Sequence, residues 1–193
     1  RVGELGRGES IWLGWFLHNT FKRFAQLVVL MKDDPAPYLQ QADELSRALD
    51  AHAWDGDWYL RAYYDDGSRL GSHKNSECQI DSIAQSWAVL SGAGDSTRAT
   101  KAMESVNRML VKPTEQMILL FTPPFDKSAR DPGYIKGYLP GVRENGGQYT
   151  HAATWVVQAM AELGEGDEAF RLFQLLNPLE RSQSAELLET YMV

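Results

Sequence analysis

Cysteine is nearly missing: Cys78 is the single one in 193 residues. No intramolecular disulfide can form, in keeping with a reducing compartment. One cysteine and four histidines offer no zinc-type ligand spacing. Positive charge is also short, 19 Lys and Arg against 26 Asp and Glu, for a net charge of −7. That balance argues against a generic nucleic-acid surface. Long hydrophobic runs are lacking. The longest, Phe24 to Met31, falls well short of the roughly 20 residues that span a bilayer. No secretory signal pattern opens the chain, which begins at Arg1.

What is present is apolar and aromatic. The apolar fraction is 44%, enough for a packed core, and there are six Trp, eight Tyr and seven Phe. Aromatic rings stack on sugar faces and also fill cores, so composition leaves both uses open. Most of the chain has helical period. Trp12, Trp15, Phe16, Phe21, Phe24, Leu27 and Leu30 recur at spacings of three and four, predicting a helix over 9–31. Further helices are predicted over about 37–53, 80–90, 96–110, 150–163 and 167–176. Between them the turns look alike. Gly92 and Gly164 suit helix C-termini that need positive φ. Asp34, Asp95 and Asp167 suit caps of the following helices.

This gives three helix–turn–helix units separated by two long segments, about 54–79 and 111–149. The short turns lie at one end of the hairpins, so the long segments gather at the other. Loops of this length are usually functional. The expected architecture is all-α: part, about the C-terminal half, of an (α/α)6 barrel or toroid of helical hairpins. Tyr59–Tyr63 and Ile118–Phe121 are expected to form minor short strands in the loops.

The richest segment is Arg143-Glu-Asn-Gly-Gly-Gln-Tyr-Thr-His151. It sets a cation, a carboxylate, two amides, a phenol and an imidazole around adjacent glycines, which let backbone approach a ligand closely. Thr150 and His151 open a helix whose N-terminus favours anions, a place that could hold phosphate. The bland alternative is a polar loop with a cap. Trp54-Asp-Gly-Asp-Trp-Tyr59 reads as a carbohydrate platform or as a turn at Gly56 with buried tryptophans, and the turn is favoured. Asp65-Asp66-Gly67 reads as a simple turn. Glu77, Gln79, Asp81 and Gln85 either line a site or cap a helix. Cys78 is not expected to be a nucleophile, because no Cys-His arrangement accompanies it. The prolines of Thr122-Pro-Pro-Phe-Asp126 make that segment rigid. Gly3, Gly6 and Gly8 form no dinucleotide fingerprint.

Several segments occur together and in order: Gly8 to Phe16, Gln85 to Gly92, Thr122 to Asp126, Asp131 to Tyr138, and Gly141 to His151. Together they resemble the inverting glycoside phosphorylases of glycoside hydrolase family 94, which includes cellobiose and chitobiose phosphorylases. The likeness is greatest to the phosphorylase-like domains of bacterial cyclic β-1,2-glucan synthases. It covers residues 1 to about 178 and leaves 179–193 as an atypical tail.

The resemblance implies cleavage of a β-glucoside by inorganic phosphate, with inversion, to an α-sugar 1-phosphate. Phosphate is then the nucleophile and co-substrate, and one carboxylic acid suffices. An inverting hydrolase instead needs two carboxyl groups, about 6.5–9.5 Å apart. The resemblance places Glu144 at the sugar and His151 at phosphate, with Arg143, Asn145 and Tyr149 among the substrate-binding residues. It implies no metal and no further cofactor. The family's general acid lies in a Trp-Asn-Asp-Gly segment expected upstream of Arg1, and a phosphate-contacting Thr-Gly segment near the family's C-terminus has no counterpart here. The chain on its own is therefore expected to be inactive, and to expose apolar surface where the rest of a barrel would pack, allowing self-association. The implied partners are β-glucan oligosaccharide, phosphate and the remainder of the barrel, with no nucleic acid. The implied location is the cytoplasm or the cytoplasmic face of the bacterial inner membrane. Two other readings stay open: an inverting hydrolase of glucoamylase-like fold, and a non-catalytic glycan-binding module.

Overall fold

A computed structural model describes residues 2–186 and 189. Of the stretch 179–193, set apart in the sequence as a tail, residues 187, 188 and 190–193 lie outside the described residues. Six main helices follow the predicted order: α1 (Ile11–Leu30), α2 (Ala36–His52), α3 (Ser82–Leu90), α4 (Ser96–Met109), α5 (Thr150–Glu162) and α6 (Gly166–Leu176). A short α7 (Pro178–Arg181) follows. Helices α1, α3 and α5 pack side by side in one row, and each is backed by its own partner, α2, α4 or α6. This is an arc of the expected helical toroid.

Local chemistry sets the helix ends. Asp95 accepts the Arg98 N–H at 2.9 Å to open α4, and Asp81 accepts the Ala84 N–H at 2.9 Å to open α3. Gly92 and Gly164 take φ of 65° and 84° after α3 and α5, as predicted. Asp167 is not the cap of α6. Glu165 holds that position without a side-chain bond, and Asp167 lies in the first turn, where its charge suits the helix dipole. Asp34 accepts the Ala36 N–H at 2.9 Å, although Pro35 is the cap residue of α2.

Two segments predicted as helix are extended. Glu9–Ser10 (β1) pairs with Ala62–Tyr63 (β2), which also pairs with Arg69–Leu70 (β3). Ile80–Asp81 (β4) pairs with Phe121–Thr122 (β7). Ser10 and Asp81 are the N-caps of α1 and α3, and a cap residue takes an extended backbone even where the helical period begins early. The strand expected over 118–121 is divided: Val111–Lys112 (β5) pairs with Met117–Ile118 (β6), and β7 starts beyond it.

The main core lies between the helix rows. Trp15 and Tyr59 are fully buried in it and meet edge to face, ring centroids 5.2 Å apart. A second core under the long loops joins Tyr64, Leu70, Phe121 and Phe125 to Ala152 in the first turn of α5. It ties the candidate segment to the helices. Apolar surface is open at both ends of the arc, at Leu13, Leu27 and Leu30 of α1 and at Phe170 and Phe173 of α6. No helix among the described residues is long and apolar enough to cross a membrane.

Candidate active site

The segment 141–149 is stitched to the segment 117–125 before it enters α5. The Leu120 N–H donates to the Gly147 carbonyl at 2.8 Å, and the Ile118 N–H donates to Gln148 Oε1 at 2.9 Å. Asn145 is fully buried. Its Oδ1 accepts the Phe125 N–H, and its Nδ2 donates to the carbonyls of Phe125 and Tyr138, all at 2.8 Å. An amide so engaged, with no exposed surface, holds the loop rather than a sugar. The glycines serve the same packing. A Cβ on Gly147 would stand 2.8 Å from the Gly141 carbonyl oxygen, and one on Gly146 would stand 3.1 Å from that of Phe121. The close approach predicted for a ligand is made by the chain itself.

Glu144 differs from its neighbours. Its side chain is 21% exposed, yet Oε2 is buried and makes no hydrogen bond. The nearest cation is Arg143, with Nε at 3.9 Å. A buried carboxylate oxygen without a donor is costly, and one or two hydroxyl donors from a ligand would relieve it. Arg143 is exposed, sits at φ 51° and lies over the Tyr138 ring at 5.1 Å. Tyr149 is half-exposed and occupies the N-cap of α5 without a side-chain bond, so no side chain competes with an anion there. His151 is exposed in the first turn of α5, its ring 6.2 Å from that of Tyr149. Arg143 and Glu144 thus meet on the loop, and Tyr149 and His151 meet at the helix start.

The other sequence candidates are structural. Burial alone would push the Glu77 carboxyl up, but it accepts three backbone N–H groups, those of Lys127, Asp126 and Ser128, which together hold it below the usual range. Gln85 is buried and bonds both the N–H and the carbonyl of Tyr59. Gln79 donates to the Asn75 carbonyl. Asp81 is buried and pairs with Arg61 at 3.2 Å. Burial pushes its carboxyl up, and Arg61 opposes that shift. Cys78 is buried beside this pair, and burial pushes its thiol up to about 12, which makes it inert at neutral pH. Trp58 is buried, Trp54 only partly so, and Gly56 takes φ 101°: the 54–59 segment is the turn favoured from its sequence, with one of its two tryptophans short of full burial. Among the described residues no group of three or more His, Cys, Asp and Glu is placed to hold a metal.

Sequence reading missed two things. Asp65, read as part of a simple turn, accepts the N–H groups of Leu5, Arg7 and Gly8 at 2.8–3.0 Å. Trp12, Phe16, Trp87 and Trp155 form one aromatic layer across α1, α3 and α5. Helical spacing marks Trp12 and Phe16 only as part of one apolar stripe. Beside this layer runs a groove of about 480 Å³ that Asn19, Arg23 and Gln158 also line. A larger groove of about 710 Å³ is lined by Leu13, Leu17, Leu45 and Leu49 of α1 and α2 and by Arg7, Tyr63, Tyr64 and Asp65 of the neighbouring loops; no residue of 143–151 lines it.

Residues 2–192 match the model of the glycosyl hydrolase 94 superfamily, catalytic domain. The chain belongs to this family. Among relatives of the glycosyl hydrolase 94 chain is the cyclic beta-(1,2)-glucan synthase NdvB of Rhizobium meliloti (strain 1021), 52% identical over 195 residues; the match covers 100% of this chain and 7% of that protein. The solabiose phosphorylase of Paenibacillus borealis is 34% identical over 92% of this chain and 23% of its own length. The N,N'-diacetylchitobiose phosphorylase of Vibrio furnissii is 32% identical over 95% of this chain and 23% of its own length. The chain thus spans well under a third of these relatives.

Proposed function

We propose that this chain is the C-terminal part of an (α/α)6 catalytic domain that carries out inverting phosphorolysis of a β-glucoside, and that it supplies that domain's sugar- and phosphate-binding loop. In the reaction a phosphate oxygen attacks the anomeric carbon and the glycosidic C–O bond breaks. The leaving oxygen takes a proton from a carboxylic acid, and the product is α-glucose 1-phosphate. We assign that acid to the part of the catalytic domain outside this chain, and expect no turnover from the chain alone. The observation that carries the reading is the buried Glu144 Oε2 without a hydrogen bond, beside a loop that ends at an uncapped helix start bearing His151. Glu144 accepts sugar hydroxyls. His151, with the first-turn N–H groups of α5, meets phosphate. Arg143 and Tyr149 flank the sugar, and Asn145 holds the loop beneath them.

Similarity to a cyclic beta-(1,2)-glucan synthase favours a β-1,2-linked glucan as the oligosaccharide substrate. The location that goes with this reading is the cytoplasm or the cytoplasmic face of a bacterial inner membrane. The open apolar ends of the arc would pair with the remainder of the barrel, or with a second copy when the chain is isolated. The test is phosphorolysis of β-1,2-glucooligosaccharides by the full-length protein, with and without phosphate. Phosphate-dependent α-glucose 1-phosphate, with phosphate use weakened more than sugar binding by His151→Ala, supports the reading. Hydrolysis indifferent to phosphate, or turnover by this chain alone, refutes it.

A further inference from the structure

Among the described residues, the imidazole of His151 makes no hydrogen bond. What touches it is aromatic. The ring lies over Trp155, one turn further along α5, with centroids 4.1 Å apart and planes at 53°. A histidine that must offer one nitrogen to a ligand is commonly turned by a hydrogen bond at the other. Here a tilted contact with an indole stands in that place, at the i, i+4 spacing that puts two side chains on one helix face.

The indole is itself fixed. It meets Trp87 edge to face, 5.3 Å between centroids at 84°, and leans on Trp12 at 6.2 Å. Phe16 closes the layer, 5.1 Å from Trp87 and 6.1 Å from Trp12. Four rings from three helices therefore brace one another, and the two edge-to-face pairs among them, Phe16–Trp87 and Trp87–Trp155, are directional. Trp155 is only half-buried and walls an open groove with Phe16 and Trp87. The closed core under α5 is built from Ala153, Val156, Ala159 and Met160.

We propose that Trp155 is a positioning residue for His151: its indole, held by Trp12, Phe16 and Trp87, fixes the plane in which the imidazole meets phosphate. This rests on the reading of His151 as the phosphate contact.

Two measurements test it. In this chain, the His151 ring protons should carry an upfield ring-current shift in the NMR spectrum, lost in Trp155→Leu and partly kept in Trp155→Phe. In the full-length protein, Trp155→Leu should lower kcat/KM for phosphate on the order of 10-fold, as loss of an outer-shell partner does for metal-bound histidines. The KM for oligosaccharide should stay unchanged, and Trp155→Phe should recover all but about twofold. A purely structural role would move both substrates together and overturn the proposal, as would an unshifted His151 spectrum. Should Trp155→Leu fail to fold, Trp155→Phe carries the test, and wild-type phosphate kinetics with a wild-type ring shift would overturn it. His151→Ala separates the two claims. Phosphate use untouched by that change defeats the phosphate reading and this inference with it. Phosphate use weakened by His151→Ala but not by Trp155→Leu defeats this inference alone.

Discussion

The carboxamide of Asn145 clasps the backbone of Phe125, taking its N–H and giving a hydrogen bond to its carbonyl, each at 2.8 Å. One side chain thus replaces a pair of strand bonds and locks two loop segments 20 residues apart. Asn145→Ala should leave the Phe125 N–H and the carbonyls of Phe125 and Tyr138 without this partner and cost about 1–3 kcal/mol. Asn145→Asp would still accept from Phe125 N–H but could not donate, and should be no more stable. Urea unfolding measures the loss. Proteolysis within 139–147 should accelerate in both variants, and sugar binding through Glu144 should weaken with it.

Gly147 sits where the same loop folds onto itself. A methyl group there would stand 2.8 Å from the Gly141 carbonyl oxygen and 3.0 Å from the Arg143 backbone. Gly147→Ala should therefore cost about 1–3 kcal/mol by overpacking. Gly137→Ala, whose Cβ would meet nothing within 4 Å, is the control and should leave the urea midpoint nearly unchanged.

These two residues show where sequence reading stops. The helices were legible because their periodicity is local: Trp12, Trp15 and Phe16 recur at helical spacing without reference to anything distant, although Trp15 is buried and Phe16 faces the open groove. The extended pairs at 9–10 and 80–81 were not, because their partners at 62–63 and 121–122 lie 40 to 54 residues away. The 143–151 segment stood out by composition, but composition cannot separate Asn145, whose amide is buried and used up, from Glu144, whose carboxylate oxygen is buried and unused. Burial and partners decide that, and both come from tertiary contacts. Trp155 was hidden for the opposite reason, since a tryptophan in an apolar helix looks like core.

The Arg61–Asp81 pair sits between the two cores, with Arg61 also stacked over Phe121 at 5.3 Å. The Asp81 side chain is only 2% exposed. Arg61→Met removes its partner and leaves a buried carboxylate, which should cost about 3–5 kcal/mol. Adding Asp81→Asn, which can still cap Ala84, should recover much of that loss. Urea denaturation of the two single variants and the double variant gives the coupling directly. Cys78, inert in the wild-type fold, should become reactive to thiol reagents at pH 8 only as the Arg61→Met fold opens.

His18 should make stability depend on pH. It is buried on α1, and its Nδ1 has no hydrogen-bond partner. Burial, with Lys22 nearby, holds its pKa below the usual 6.5, while Asp43 pulls the other way. The folded chain therefore binds fewer protons at His18 than the unfolded chain does once the pH drops near 6.5. The stability tied to the neutral imidazole is complete above that pH and is lost as pH falls from 6.5 toward the depressed folded value. Urea midpoints measured between pH 7.5 and pH 5 should decline for the wild type. In His18→Gln, which removes the titrating group and keeps a polar side chain of similar reach, the decline over that window should be shallower. An equal slope in both chains would mean that the acid loss arises elsewhere.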